Sequence, residues 1–548
     1  MKSGAKLLAS IKQSSIEQTF PTSIPQERKI EFYDTTLRDG NQALGVNFSL
    51  DDKIKISRHL DEIGVRYVEG GWPNITNMAE IEYFRRIPKE KLSLKVAAFG
   101  RTRKARLKLE EDGDLKILVD CKPDIITVMG KSWRLHVEKV LGTTLQENRN
   151  MVSETIKYLK DFGYTVFFDA EHFFDGFKDD HPYTESVIKS ASEAGASAII
   201  LCDTRGASTP LEIYEITKSI KAMTRLPVGI HAHNDRGFAT ANSIFAVLAG
   251  AEHVQGTING VGERCGNADL IEIIGNLELS LHHPTGIKIS KLCQISDYVY
   301  EIANLHPNLY KPFVGKFAFA HKGGIHAHAV LKLPQAYEGF DPEIVGNQRA
   351  IAVSSQSGIS NVIAKGREFG FTLADKSFDA KRILKKIKER EAQGYHYENA
   401  AASLNLLYAQ ELGVNLSYFN LINWRAHVLW QGDQLSSESS VKINIEDENL
   451  ITAAEGNGPV NAFDIALKKA LKSQYPELSK VELVGYRVRE TIGEMGTAAV
   501  VQVFVEFQAN GERWSTIGVS PNILKASEEA LTDGYTYYLY RKKFIKRG

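Results

Sequence analysis

From Lys29 onward one unit recurs eight times: a short apolar, β-branched run, a turn, then a segment of helical period. The runs are Ile30–Tyr33, Tyr67–Gly71, Leu94–Phe99, Ile125–Met129, Thr165–Phe168, Ala198–Cys202, Val228–His233 and Val254–Ile258. Amphipathic stretches such as Ser49–Ile63, Gln146–Phe162, Tyr183–Ala194 and Pro210–Met223 lie between them. Parallel neighbours need helical crossovers, so this alternation predicts a parallel sheet. Eight strands close such a sheet into a (β/α)8 TIM barrel, which leaves no edge; an open doubly wound sheet is the competing arrangement. The polar residues favour the barrel. Nearly every run ends in reactive side chains: Asp34, Arg38 and Asp39; Glu69; Lys131; Asp169, Glu171 and His172; Asp203 and Thr204; His231 and His233; Glu263 and Asn267. In a barrel all of these meet on the face where active sites of this fold lie.

Whole-chain arithmetic narrows the function classes. At roughly 150 residues per domain, 548 residues suggest three to four domains, fewer if one is a barrel. The 67 basic and 67 acidic residues cancel, which argues against a general nucleic-acid binder or a polybasic membrane anchor. No apolar run approaches the roughly 18–20 residues of a membrane span. Four cysteines without a CxxC pair make neither a disulfide framework nor a zinc site, and the chain reads as reduced and cytoplasmic. Met1–Ile16 carries three lysines and no acidic residue. Residues 1–27 are therefore expected to be a disordered tail, with an organellar presequence as the alternative.

His231 and His233 are two apart on a predicted strand, so both imidazoles share one face. Asp39 can add a hard oxygen and Asn267 an amide oxygen. Two nitrogens and two oxygens suit an octahedral divalent ion, Mn²⁺ or Mg²⁺ first, with Zn²⁺ or Co²⁺ as alternatives. Single core histidines are the competing explanation. Arg38 beside Asp39 can stabilise charge developing on a carbonyl oxygen; the plainer role is a salt bridge to Asp34 or Glu69. Thr204 can donate to a substrate carboxylate. The glycines of Gly256–Gly266 match neither the dinucleotide fingerprint nor a Walker loop, and read as a tight loop that lets Asn267 reach the metal.

Three motifs together are specific: Asp34-Thr-Thr-Leu-Arg-Asp-Gly-Asn-Gln42, His231-Ala-His-Asn-Asp235 and Gly260-Val-Gly-Glu-Arg-Cys-Gly-Asn267. They resemble the 2-isopropylmalate, homocitrate and citramalate synthase family from about Ile30 to the C-terminus. Tyr67–Pro73, Phe168–Gly176 and Ala318–His326 look closest to the citramalate branch. The resemblance implies an acyltransferase that condenses acetyl-CoA with pyruvate and hydrolyses the thioester. It implies metal ligation by Asp39, His231, His233 and Asn267. It also implies substrate binding by Arg38, Gln42, Glu69 and Thr204, and catalytic roles for Arg38, Glu171, His326 and Tyr337. Many relatives carry an acidic residue where this chain has His328, so a different group is expected to tune His326.

The barrel is expected over 28–287 and a helical linker over 288–412; the family resemblance implies that this linker contributes to the partner's active site. Residues 413–548 read as a C-terminal α+β domain. Its strands are predicted at Arg425–Trp430, Ser440–Ile445, Leu450–Glu455, Val481–Arg487, Ala498–Phe507 and Arg513–Ile517. Each set of three precedes a Gly-x-x-Pro helix start, at Gly456 and Gly518, giving two βββα repeats. By resemblance this is an allosteric dimer domain, with isoleucine the expected effector and a homodimer the expected assembly. A bare dimerisation domain is the plainer reading. Trp72, Met129, Trp133 and Phe168 are bulky candidates for a small pyruvate pocket. The alternatives are a 2-isopropylmalate synthase-like enzyme using a larger 2-oxo acid, a lyase or carboxyltransferase on the same barrel, and a non-catalytic amino-acid sensor.

Overall fold

The computed structural model describes residues 21, 23–371, 377–432, 434–490 and 499–545. Eight parallel strands close in sequence order, with the eighth paired to the first. They are β1 Glu31–Asp34, β2 Tyr67–Gly71, β3 Lys95–Arg101, β4 Ile125–Lys131, β5 Thr165–Glu171, β6 Ala198–Asp203, β7 Val228–Ala232 and β8 His253–Gly256. The predicted runs fall on these strands. Several strands continue further, so Lys131, Asp169, Glu171 and Asp203 belong to the strands themselves. His233 falls one residue beyond β7 and bridges to Asn267.

The helices have local causes. Ser49 and Thr209 each close a capping box, with Asp52 and Glu212 at the third helical position. Pro210 fits the first turn of its helix, where its missing N–H has no partner to lose. At the barrel floor the interior is filled. Tyr33, Tyr67 and Phe167 cluster there with Ala97, Ile125 and Ile200, and His253 packs 5.2 Å from both Tyr33 and Phe167. Any open space must therefore lie above this layer, toward the C-terminal strand ends.

Most of the expected 1–27 tail lies outside the described residues. Within the described part Ile24 is buried and Gln26 donates to the His282 carbonyl, so packing begins ahead of Arg28.

Two compact units partition the chain within the expected linker 288–412. The first runs to Ala318 and takes back Phe340–Gln348; the second holds Phe319–Gly339 and everything from Arg349. The linker is not purely helical. In the second unit β9 (Ala320–His321) pairs in parallel with β10 (Ala350–Ile351), beside helices including Gly324–Lys332, Ser377–Ala392 and Ala401–Glu411.

The second unit also carries the βββα repeat. Strands β11 Asn420–Gln431, β12 Gln434–Ile445 and β13 Glu448–Gly456 form an antiparallel meander before helix Pro459–Lys472. Strands β14 Glu482–Glu490, β15 Val501–Ala509 and β16 Glu512–Ser520 do the same before helix Ile523–Ile545. The first strand of each meander has a register shift, at Leu421/Asn423 and at Leu483/Gly485. These lie 62 residues apart (483 − 421), the same offset as Gly456 to Gly518 (518 − 456). The second helix corrects one expectation. Pro459 begins its helix, but Pro521 precedes Ile523 by two residues. Asn522 caps there instead: its Oδ1 accepts from the Leu524 and Lys525 amides at 2.9 and 3.3 Å.

A buried ion pair braces the β2 end of the barrel. Lys53 Nζ donates to Glu80 Oε1 at 2.5 Å and to the Gly70 carbonyl at 3.1 Å. The Glu80 carboxylate fills the space a Cβ on Gly71 would need. Removing one partner strands a buried charge, so Glu80→Ala should destabilise the fold by about 3–5 kcal/mol in urea unfolding. Glu80→Gln, which keeps an acceptor, should cost less. Equal losses would contradict the pairing.

Candidate active site

Strand register builds the site in layers. Between β4 and β5, Thr127 pairs with Phe167, Met129 with Asp169 and Lys131 with Glu171. Alternate strand residues share a face, so Phe167, Asp169 and Glu171 climb the interior from floor to mouth. A cavity of about 190 Å³ opens above the floor. Its walls include Trp72, Phe99, Met129, Asp169 and Cys202, and the expected Arg38, Asp39, Gln42, Glu171, Thr204, His231 and His233 all reach it.

Asp39 is the hub. Its Oδ2 lies 3.2 Å from His231 Nε2 and 3.8 Å from His233 Nε2, and accepts from Asn267 Nδ2 at 2.9 Å. The two imidazole Nε2 atoms are 3.3 Å apart. Asp39, His231 and His233 are buried, and one donor atom from each lies within 4.8 Å of the others. This set can hold a divalent metal ion. Burial alone would raise the Asp39 carboxyl, but Arg38 and the two imidazoles outweigh it and hold the group well below its usual range. Burial, then His231, push His233 down to about 3, which keeps the imidazole neutral, the form that can coordinate a cation. Asn267 stands in the expected place, but it meets Asp39 through its nitrogen. Its Oδ1 is buried without a hydrogen-bond partner and lies against Gly262, where no Cβ would fit.

Arg38 is fixed from three sides. Its Nε donates to Glu69 Oε2 at 2.5 Å, its Nη1 lies 3.4 Å from Asp39 Oδ2, and its guanidinium stacks 4.0 Å over the Phe99 ring. Glu69 carries two expectations, substrate binding by resemblance and orientation of Arg38, and its position favours the second. It is fully buried, and its other oxygen accepts from Tyr33 Oη at 2.8 Å. Both carboxylate oxygens are occupied, so Glu69 orients Arg38 from beneath. The salt bridge weighed for Arg38 is thus present, with Glu69 and not Asp34, whose oxygens accept from Thr36.

Two residues support the His231 imidazole from behind. Gln255 pairs in register with His231 and accepts from its Nδ1 at 2.8 Å, which leaves Nε2 for the cavity. Gln255 donates in turn to Asp169 at 3.2 Å. Burial, then the charge of Glu69, raise Asp169 to about 7. Thr204 Oγ1 accepts the His172 N–H at 2.9 Å, and Glu171 pairs with Lys131.

His326 and Tyr337 belong to the second unit, ring to ring at 4.6 Å and both exposed. His328 bonds Ser360 at 3.0 Å; the histidine that meets a carboxylate is His321, 3.0 Å from Glu338. Of the four bulky pocket candidates, Trp72 and Met129 line the cavity. Phe168 is fully buried against Gly130, and Trp133 stacks on His136. Phe99 and Gln255 were missed as site residues, and Asp169 and Arg264 were read as strand-end groups without a role. For Gln255 the sequence carries no signal, because its role depends on inter-strand register.

Comparison with known proteins follows this layout. Residues 29–299 match the HMGL-like family, 313–394 the homocitrate synthase post-HMGL domain-like family, and 398–539 the LeuA allosteric (dimerisation) domain. The chain is 45% identical over 519 residues to the (R)-citramalate synthase of Aquifex aeolicus, covering 94% of this chain and 98% of that one. It is 44% identical over 522 residues to the (R)-citramalate synthase of Geobacter sulfurreducens, covering 94% and 99%. Identity to the 2-isopropylmalate synthase of Methanocaldococcus jannaschii is 32% over 519 residues, covering 94% and 96%.

If Gln255 orients His231, Gln255→Leu should weaken divalent metal binding by about 10–100-fold. Titration of Mn²⁺ into the purified protein reads this directly. Wild-type affinity in the variant would show that Gln255 plays no such part.

Proposed function

The chain belongs to the citramalate synthase family, and we propose that it condenses acetyl-CoA with pyruvate and hydrolyses the thioester to release citramalate and CoA. The observation that carries this is the convergence of Arg38, Asp39, His231, His233 and Thr204 on one small cavity. At about 190 Å³ it is well below the roughly 300 Å³ where pockets for drug-sized ligands begin. Trp72, Phe99 and Met129 narrow it, which favours pyruvate over longer 2-oxo acids.

A divalent ion on Asp39, His231 and His233, Mn²⁺ or Mg²⁺ first and Zn²⁺ or Co²⁺ otherwise, would supply Lewis acidity toward the keto and carboxylate oxygens of a 2-oxo acid. Asn267 orients Asp39 through its amide. Arg38, immobilised by Glu69, places a permanent positive charge where the keto oxygen becomes an alkoxide. Preorganisation matters there, because a group already in place need not reorganise as charge develops. The Thr204 hydroxyl donates to the pyruvate carboxylate, and Gln42 completes the rim. Glu171 is the acidic group nearest in kind to a base for the acetyl methyl. Acid/base roles for His326 and Tyr337 rest on the family resemblance. So do a homodimer, a cytoplasmic location, a place in isoleucine biosynthesis and feedback inhibition by isoleucine through the LeuA-type domain.

A 2-isopropylmalate synthase-like activity is the second reading, favoured by the 32% identity to such an enzyme. Incubation with acetyl-CoA, Mn²⁺ and a panel of 2-oxo acids separates the two through free CoA thiol. Release with pyruvate should far exceed that with 2-oxoisovalerate or 2-oxoglutarate, and Asp39→Ala should abolish it. Preference for 2-oxoisovalerate would favour the second reading, and no release with any acid would sink both. Isoleucine should slow the full-length enzyme more than leucine or valine does. The full chain is the right material. Phe504, Ile517 and Tyr540 share a core with Tyr395, Tyr397 and Tyr408, so truncation near residue 415 would open that core.

A further inference from the structure

His172 at φ 58° and Arg264 at φ 59°, both at the barrel mouth, are among the non-glycine residues that adopt the left-handed backbone region. L side chains disfavour it, and such residues concentrate where function requires a geometry. Both hold the same partner. The His172 N–H donates to Thr204 Oγ1 at 2.9 Å, and Arg264 Nη2 donates to the Thr204 carbonyl at 2.8 Å. One grips the side chain and the other the backbone.

Arg264 is itself clamped. Its Nε and Nη2 donate to Asp235 Oδ1 and Oδ2 at 2.7 and 2.9 Å, a fork that fixes the guanidinium plane. Its Nη1 faces Glu263 Oε2 at 3.4 Å. Although Arg264 borders the cavity, all three nitrogens are engaged by protein. The surrounding backbone is tied as closely. A Cβ on Gly206 would lie 2.6 Å from the His233 carbonyl and 2.7 Å from the Asp235 nitrogen. The Asn234 N–H reaches the Gly266 carbonyl at 2.8 Å. The loops after β6, β7 and β8 thus meet at Thr204, Asp235 and Arg264.

A threonine hydroxyl has one proton to donate and two lone pairs. The His172 amide takes a lone pair, so the proton remains for an acceptor in the cavity. We infer that Arg264 is a positioning residue for the 2-oxo acid: clamped by Asp235, it holds the Thr204 backbone so that the hydroxyl meets the oxo-acid carboxylate. This rests on the reading of Thr204 and of the 2-oxo acid substrate given above.

Steady-state kinetics of the full-length enzyme test it, with pyruvate and acetyl-CoA varied separately. Arg264→Leu should raise KM for pyruvate about tenfold, the scale of one mispositioned hydrogen bond to a charged group. The KM for acetyl-CoA and kcat should stay within about twofold, a split that general loosening of the fold would not give. Arg264→Lys, a point charge without the fork, should fall between wild type and Arg264→Leu. In a Thr204→Val background, Arg264→Leu should add less than about twofold, since the two act through one hydroxyl. Should Arg264→Leu fail to fold, Asp235→Asn loosens the same clamp and should show the same pyruvate-specific rise. Additive effects of Thr204→Val and Arg264→Leu, an unchanged KM for pyruvate, or an equal rise in both KM values would overturn the inference. A wild-type enzyme that releases no CoA with any 2-oxo acid would overturn the functional reading as well. Active wild type with unaffected variants would overturn the positioning role alone.

Discussion

Glu69 holds Arg38, and the Arg38 guanidinium holds the Asp39 carboxyl below its usual range. That line of two carboxyl groups and a guanidinium runs from the filled floor of the barrel to its cavity, and the other site features are arranged around it. Glu69 is fully buried, with one oxygen on Tyr33 and one on Arg38. Burying a charge is costly unless it is paired and hydrogen-bonded, and here each member compensates the next. The line ends beside two imidazoles, at a point where a cation and an anionic substrate can both be met. A whole-chain charge of zero conceals this local arrangement.

Barrel closure converts sequence alternation into depth. On β5, Phe167 belongs to the floor, Asp169 to the cavity wall and Glu171 to the mouth, two residues apart at each step. On β4, Thr127 bonds Tyr33 and so supports the floor under Glu69, while Met129 narrows the cavity above. The same strand therefore contributes stability low down and chemistry near its end, as is general for this fold. Loops finish the work: Arg264, Asp235 and Thr204 join three successive strand ends by side-chain bonds that no single strand could supply.

Much of this was legible in the sequence, for a physical reason. Residues two apart on one strand share a face whatever the neighbouring strands do, so His231 and His233 could be paired from spacing alone. Asp39 and Thr204 follow from the rule that barrel chemistry sits at strand ends. Relations between strands were not legible. Gln255 meets His231 only through the β7–β8 register, and Phe99 lies under Arg38 only once β1 to β3 have closed. For Glu69 the sequence left two roles open, because a carboxylate at a strand end looks the same whether it faces substrate or braces an arginine. Phe168 misled because bulk says nothing about facing; it sits one residue out of phase with the interior positions Phe167 and Asp169. In the C-terminal repeat the 62-residue offset was visible in the glycines and prolines, but the switch from Pro459 to Asn522 as the helix-starting residue was not.

In the proposed function Asp39, His231 and His233 hold the metal around which Arg38 and Thr204 organise a 2-oxo acid. The most direct measurement is an anomalous-difference map from crystals of the enzyme grown with Mn²⁺ and pyruvate. One strong peak per barrel is expected among Asp39 Oδ2, His231 Nε2 and His233 Nε2, with a planar ligand between it, Arg38 and Thr204. No peak at that position, or a metal held by other residues with pyruvate away from Arg38, would contradict it.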